Sequence, residues 1–187
     1  MAIAGKDNDL IWGDKGNDTV LGDDGKDTVF DGTSDSSDGD LTGRDLLFGD
    51  RGNDLIFGNE DTDKLCGGEG NDTLYGGKDD DTLVGGIGDD WLMGDLGNDT
   101  LQGGIGRDYF FLNPAKGSDV ITDFTKGEDL LVLTNGLKFD RLTIIQENNR
   151  TLIKIANTGQ ILAALSGVEV SAIGPQNFSI IEGIGGL

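Results

Sequence analysis

The chain contains no histidine and a single cysteine, and only 14 of its 187 residues are lysine or arginine. Without imidazole, metal sites built on nitrogen ligands are excluded, and one cysteine can form neither an internal disulfide nor a zinc ribbon. The shortage of basic residues against 35 acidic ones leaves a formal charge of -21, which sets nucleic acid and anionic membranes aside as partners. Long apolar runs are missing too. The first fifteen residues include Lys6, Asp7, Asp9, Asp14 and Lys15 and hold no stretch of signal-peptide length, and nothing elsewhere is long enough to span a bilayer. The expectation is a soluble chain with no membrane insertion and no cleavable export signal. Apolar residues make up 35% of the sequence and 33 residues are glycine, a composition in which burial alone does not offset chain entropy. Folding therefore calls for a cation from outside the sequence. With imidazole and paired thiols absent, hard oxygen ligands remain, and these suit calcium.

What the chain does have is a ladder of carboxylates. Asp9, Asp18, Asp27, Asp45, Asp54, Asp63, Asp72, Asp81, Asp90, Asp99 and Asp108 fall on one nine-residue period whose single gap is Ser36. Around each stands the same pattern, clearest in GGEGNDTLY (67–75) and GGIGDDWLM (85–93). Counting in nines from Ala4, the eighth position is apolar: Ile11, Val20, Val29, Leu47, Ile56, Leu65, Leu74, Leu83, Leu92, Leu101 and Phe110. This predicts short strands with inward-facing centres, each too short to fold alone and stabilised by stacking on its equivalent one coil away. Glycines at the first, second and fourth positions permit positive φ and let carbonyls converge on an ion. Where glycine is replaced the substitute is usually Asp or Asn, as at Asp7, Asp14, Asp23, Asp50, Asn59, Asp61, Asp79 and Asp95, residues that tolerate the left-handed region.

Segment 31–42, DGTSDSSDGDLT, breaks the period and allows two readings. A decayed repeat would place Asp38 where a core aliphatic belongs, at a burial cost. An enlarged solvated turn would join strand 28–30 directly to strand 46–48. It would then gather Trp12, Phe30, Phe57, Tyr75, Met93 and Phe111 on one sheet, and Leu21, Phe48, Cys66, Val84 and Gln102 on the other. Residues 1–111 read as the repeat roll and 112–187 as a β-rich cap, with strands near 119–124, 129–133, 141–146 and 151–156 and a hairpin turn at 147–150. Asp119 and Asp123 read as solvated strand ends in preference to ligands of a further ion, and Cys66 as incidental.

The nonapeptide GGxGxDxUx over residues 4–111 resembles the RTX (repeats-in-toxin) calcium-binding family, and GSDVITDFTKGEDLLVL (117–133) is similar to the segment that follows such repeats. The resemblance implies an all-β, right-handed parallel β-roll, two nonapeptides per coil, with calcium ions between the turns of successive coils. Each ion would take two carbonyls and an Asp from one turn and two carbonyls and an Asp from the next. Between turns 49–54 and 67–72 these are the carbonyls of Asp50 and Gly52 with Asp54, and of Gly67 and Glu69 with Asp72. The following site in that row takes Gly68, Gly70, Gly85 and Ile87. The one after takes Gly86, Gly88, Gly103 and Ile105. In the other row the sets are Asn59, Asp61, Gly76 and Lys78, then Gly77, Asp79, Gly94 and Leu96. The enlarged-turn reading gives five sites in one row and four in the other, and nine divalent ions would offset all but about -3 of the formal charge. The range over both readings is seven to ten ions. The resemblance also implies export through a type I secretion apparatus, directed by an uncleaved C-terminal signal, to the extracellular space or cell surface.

Several functions remain open on these residues. A secreted calcium-folded structural or surface module accounts for every feature. The alternatives are the C-terminal part of a larger RTX enzyme or adhesin, a module that binds surface polysaccharide, and an extracellular calcium buffer. A complete enzyme is not expected: the roll begins at residue 4, and no histidine or metalloprotease motif exists. Met1 followed directly by repeats reads as the start of a short chain. Ice binding through threonine rows is not expected with Lys15, Asp24, Arg51, Glu60, Glu69, Lys78, Ile87, Leu96 and Ile105 at the third turn position. The outward apolar face, Trp12, Phe30, Phe57 and Tyr75, is a candidate surface for self-association.

Overall fold

The computed structural model describes residues 1–13, 17–30, 43–114 and 117–180. Both readings of segment 31–42 lie outside these residues, as do Asp14, Lys15 and the C-terminal stretch from Asn177 to Leu187 beyond residue 180. The chain forms an all-β parallel solenoid of two facing sheets. In the first, the strands stand in the order Ala2–Gly5, Thr19–Asp24, Leu46–Arg51, Lys64–Glu69, Thr82–Ile87, Thr100–Ile105, Asp119–Ile121, Ile161–Ser166, Arg150–Ile155 and Leu142–Glu147. In the second, the order from the opposite end is Phe178–Ile180, Leu130–Leu133, Tyr109–Leu112, Trp91–Leu96, Thr73–Lys78, Leu55–Asn59, Thr28–Phe30 and Leu10–Trp12. As far as Leu130–Leu133 successive strands alternate between the sheets, so each strand up to Tyr109–Leu112 pairs in parallel with the strand two further on.

The register follows the nine-residue period. Leu65 stands opposite Leu83 and Leu83 opposite Leu101, while Ile56 stands opposite Leu74 and Leu74 opposite Leu92, all 18 residues apart. Across 31–42 the offset is 27, with Val20 on Leu47 and Val29 on Ile56. Because side chains alternate along a strand, the eighth-position residues of both sheets point at one another. Val20, Val29, Leu47, Ile56, Leu65, Leu74, Leu83, Leu92, Leu101 and Phe110 are fully buried, each worth about 1.5–3 kcal/mol on burial.

Both sheets run on across residue 111. Asp119–Ile121 pairs in parallel with Thr100–Ile105 at an offset of 20, and Leu130–Leu133 with Tyr109–Leu112 at 21. Beyond them Ile161–Ser166 and Phe178–Ile180 continue the parallel order, while Leu142–Glu147 and Arg150–Ile155 form an antiparallel hairpin around Asn148, whose φ is +54°.

On the outside of the second sheet the ninth-position rings form a stack. Trp12, Phe30, Phe57 and Tyr75 lie with centroids 4.5–4.9 Å apart and planes within 12°. Further along, Met93, Phe111 and Val132 are buried, with Trp91 packed against Tyr109 and Phe111.

Candidate metal centre

The turns that join the two sheets stack into two columns, one along each edge of the solenoid, and the ladder aspartates hold successive turns together. The Asp72 N–H donates to Oδ1 of Asp90 at 2.8 Å, just as Asp54 donates to Asp72 and Asp27 to Asp54. One column is Asp9, Asp27, Asp54, Asp72, Asp90, Asp108 and then Asp129. The other is Asp18, Asp45, Asp63, Asp81, Asp99 and then Asp119. Sequence reasoning therefore stopped one rung short in each column. Asp119 is no solvated strand end: it is 7% exposed and accepts from the Asp99 N–H. Asp123 accepts from the N–H groups of Gly103 and Gly104. Asp129 was missed altogether, because the spacing to Asp108 is 21 residues rather than 18. The signal that marks both is the local G-x-D-x-apolar pattern, GSDVI (117–121) and GEDLL (127–131).

These hydrogen bonds use one carboxylate oxygen. The other, Oδ2, is buried without a hydrogen-bond partner in Asp27, Asp45, Asp54, Asp63, Asp72, Asp81, Asp90, Asp99 and Asp108. An unsatisfied buried carboxylate oxygen is costly, so nine of them in two columns mark positions built for something that binds oxygen. The glycines beside them define the space. A Cβ at Gly76 would stand 2.5 Å from Asp81 Oδ2 and 2.7 Å from the Gly94 carbonyl oxygen of the next turn; at Gly22 it would meet Asp27 Oδ2 and the Gly49 carbonyl at 2.5 and 2.6 Å. Corresponding positions at Gly49, Gly67 and Gly85 fall between an Asp Oδ2 and the carbonyls of Gly67, Gly85 and Gly103.

Third-position carbonyls behave differently. Those of Glu69, Ile87 and Ile105 accept at 2.8 Å from Gly52, Gly70 and Gly88 of the preceding turn, leaving each a second lone pair, while the Ile87, Leu96 and Ile105 side chains point to solvent. At the second and fourth positions the expected left-handed backbone is present at Asp23, Asp50, Asn59, Asp61, Asp79 and Asp95, with φ between +68° and +76°, but not at Asp7.

Electrostatics agree with the geometry. Burial pushes the carboxyls of Asp54 and Asp108 up to about 6, of Asp63, Asp72 and Asp90 to about 7 and of Asp81 to about 8. The donated backbone N–H only partly offsets this, and neighbouring carboxylates add to it. Asp99 and Asp119 are raised together, burial being the main cause for each. A divalent cation would hold these groups ionised. Among the described residues no three Asp, Glu or Cys side chains converge, so the fit is to carboxylate pairs supplemented by carbonyl oxygens. That donor set is hard and all-oxygen, as calcium prefers.

Comparison with known proteins points the same way. The RTX calcium-binding nonapeptide repeat model matches four times, over residues 2–29, 41–74, 63–92 and 84–113, more than half of the chain. No curated protein sequence matches significantly. Among solved structures, the extracellular lipase LipA from Serratia marcescens aligns at 20% identity and TM-score 0.42, over 92% of this chain and 38% of the lipase. The AlgE6R3 subunit of the Azotobacter vinelandii mannuronan C5-epimerase aligns at 24% identity and TM-score 0.30, over 94% of this chain and 80% of the subunit. This chain thus spans less than half the length of the lipase. By the repeats matched over residues 2–29 and 41–113, the chain belongs to the RTX calcium-binding nonapeptide-repeat family.

Proposed function

We propose that this chain is a secreted structural module whose folding is driven by calcium held between stacked turns. The observation that carries the reading is the double column of buried Oδ2 atoms without partners. Ladder sites lie between successive aspartates from Asp9 to Asp108 in one column and from Asp18 to Asp99 in the other. Their carbonyl partners are those of Asp50, Gly52, Gly67 and Glu69 and the equivalent residues one and two turns on. Without cations the carboxylates repel and the glycine-rich turns lose their reason to order, so ion binding and folding become one event. Extracellular modules bind calcium with Kd of roughly 0.1–1 mM, far above cytosolic levels. A chain with such sites stays unfolded inside the cell, passes through a secretion channel, and folds outside.

The stacked rings bear on the carbohydrate alternative. In Trp12, Phe30, Phe57 and Tyr75 the ring faces are turned toward one another, so their edges face outward and the broad faces that stack on sugars are occupied. The structural reading is therefore favoured over a polysaccharide-binding one.

The test is far-UV circular dichroism during calcium titration of chelated protein, repeated with magnesium. A cooperative coil-to-β transition with calcium alone is expected, because magnesium demands a tighter octahedral shell and gives up water reluctantly. Protein that is already folded when chelated at pH 8 would refute the reading.

A further inference from the structure

Seven of the nine unpartnered Oδ2 atoms face a following turn that belongs to the nonapeptide ladder. The remaining two, on Asp99 and Asp108, do not. Both residues are buried, at 0% and 1% exposure. The turn that follows each comes from the segment after the repeats, where the period is lost.

We propose that both ion columns run one site beyond the last nonapeptide, between Asp99 and Asp119 and between Asp108 and Asp129. The proposal rests on the calcium reading above and extends it to residues that no repeat contains. Both junctions reproduce the backbone rungs of the interior ones, although Asp129 Oδ2, unlike the interior Oδ2 atoms, accepts from the Thr125 N–H at 2.6 Å. Asp99 N–H donates to Asp119 Oδ1 at 3.2 Å and Asp108 N–H to Asp129 Oδ1 at 3.1 Å. The next residue donates back in each case, Val120 N–H to the Asp99 carbonyl at 2.7 Å and Leu130 N–H to the Asp108 carbonyl at 2.8 Å, as Thr73 does to Asp54 and Trp91 to Asp72. Gly117 takes the fourth turn position: its φ is +144°, it bridges Gly97 in parallel, and a Cβ there would fall on the Gly97 carbonyl, as one at Gly70 would on that of Gly52.

The donor sets differ from the interior in one respect. At Gly94 and Gly103 the nearest atoms to an added Cβ all belong to Asp99 or Asp108, with no next-turn carbonyl among them. The Pro114 carbonyl accepts from Gln160 Nε2 at 2.7 Å instead. At the Asp108 junction, Asp123 brings a further carboxylate onto the same turn, its two oxygens accepting from Gly103 and Gly104 N–H at 3.0 and 2.9 Å. Each end site is thus built, like the interior ones, on one carboxylate pair, Asp99 with Asp119 and Asp108 with Asp129, and both Asp123 oxygens are held by backbone N–H groups. Their position has a consequence for the fold. Asp119 and Asp129 open or immediately precede the strands on which Ile161–Ser166 and Phe178–Ile180 pair, so calcium would clamp the C-terminal segment onto the roll.

Native mass spectrometry of the whole chain in calcium tests this, with Asp119→Asn and Asp129→Asn. Asparagine keeps the Oδ1 acceptor for the rung hydrogen bond and removes the charge. The expected count is eleven ions in the parent, the nine ladder sites plus these two, with the loss of one ion in each variant. A parent count of nine or fewer overturns the proposal, and a variant that keeps the parent count overturns it for that column. Should a variant fail to fold, the parent count decides alone. Failure of the calcium reading itself looks different: the parent would retain no ions at all, and Asp72→Asn within the ladder would change nothing.

Discussion

At the scale of single residues the decisive feature is a carboxylate with two unequal oxygens. In Asp27, Asp45, Asp54, Asp63, Asp72, Asp81, Asp90, Asp99 and Asp108, Oδ1 accepts a backbone N–H and Oδ2 has no partner, so Asp→Asn is expected to preserve the rung and weaken the proposed ion site. Asp72→Asn is expected to remove one to two ions, since Asp72 belongs to the junctions with both Asp54 and Asp90. The calcium midpoint should rise at least about tenfold, equivalent to ~1.4 kcal/mol; a midpoint unchanged by isothermal titration calorimetry would refute the assignment of Asp72. The raised carboxyls also fix a pH dependence. Their folded values of about 6 to 8 lie above the unfolded 3.8. Their contribution to the metal-free fold is therefore fully present below the unfolded value and is lost as pH rises through about 6 to 8. Calcium requires the ionised form, so its affinity should increase over the same window, with protons released on binding. Chelated protein should show more strand signal at pH 5 than at pH 8, and a pH-stat titration at pH 6.5 should record proton release. The opposite order of stability, or equal calcium affinity at pH 6 and pH 8, would refute the assignment.

At the scale of elements the strands are held by three unequal interactions. The inward aliphatic column is the largest. Leu74 is fully buried between Ile56 and Leu92, and Leu74→Ala should cost about 2–5 kcal/mol, read as a lower melting temperature in saturating calcium. The ring stack is intermediate, at about 0.5–1.5 kcal/mol per pair beyond area burial. Charge ladders along the turns, Lys78 with Glu60 and Arg51 with Asp24 and Glu69, are exposed and are worth about 0–1 kcal/mol. Lys78→Met should therefore shift the melting temperature far less than Leu74→Ala, and a comparable shift would mean the turn charges carry stability assigned here to the core. The inward positions were legible in the sequence because a nine-residue period alternates strand and turn without slip. The parallel strands at 119–121 and 130–133 were legible as strands, but their partners were not. Offsets of 20 and 21 residues leave no periodic trace, and only the stacking of Gly117 on Gly97 shows where the coil resumes.

At the scale of the whole molecule the charge of -21 makes the metal-free chain self-repelling, and the solenoid gathers the ladder aspartates into two columns where divalent ions would offset that charge. Removing calcium should expand the chain toward the radius of gyration of an unfolded chain of this length, about 46 Å, against about 16 Å for a compact one. Small-angle scattering before and after chelation measures this, and a radius unmoved by chelation would mean that the roll stands without its ions. The stacked rings on the outer face are half-buried in the monomer, which gives a second prediction at this scale. If copies of the chain associate through this face, Phe57→Asp should convert them to monomers in sedimentation equilibrium; a parent chain that is monomeric at high concentration removes that role.

The sequence by itself determined the period, the identity of the ladder aspartates, the inward column and the all-oxygen character of the rung side chains, because each is a local property repeated at fixed spacing. Which aspartates become neighbours was decided only by the tertiary structure, since contact between turns depends on how many residues each coil consumes. The chain spends 18 on most coils, 27 across 31–42, and 20 or 21 after the repeats. Asp119 and Asp129 reach the two columns for that reason, carried there by the pairing of strands rather than by any count along the chain.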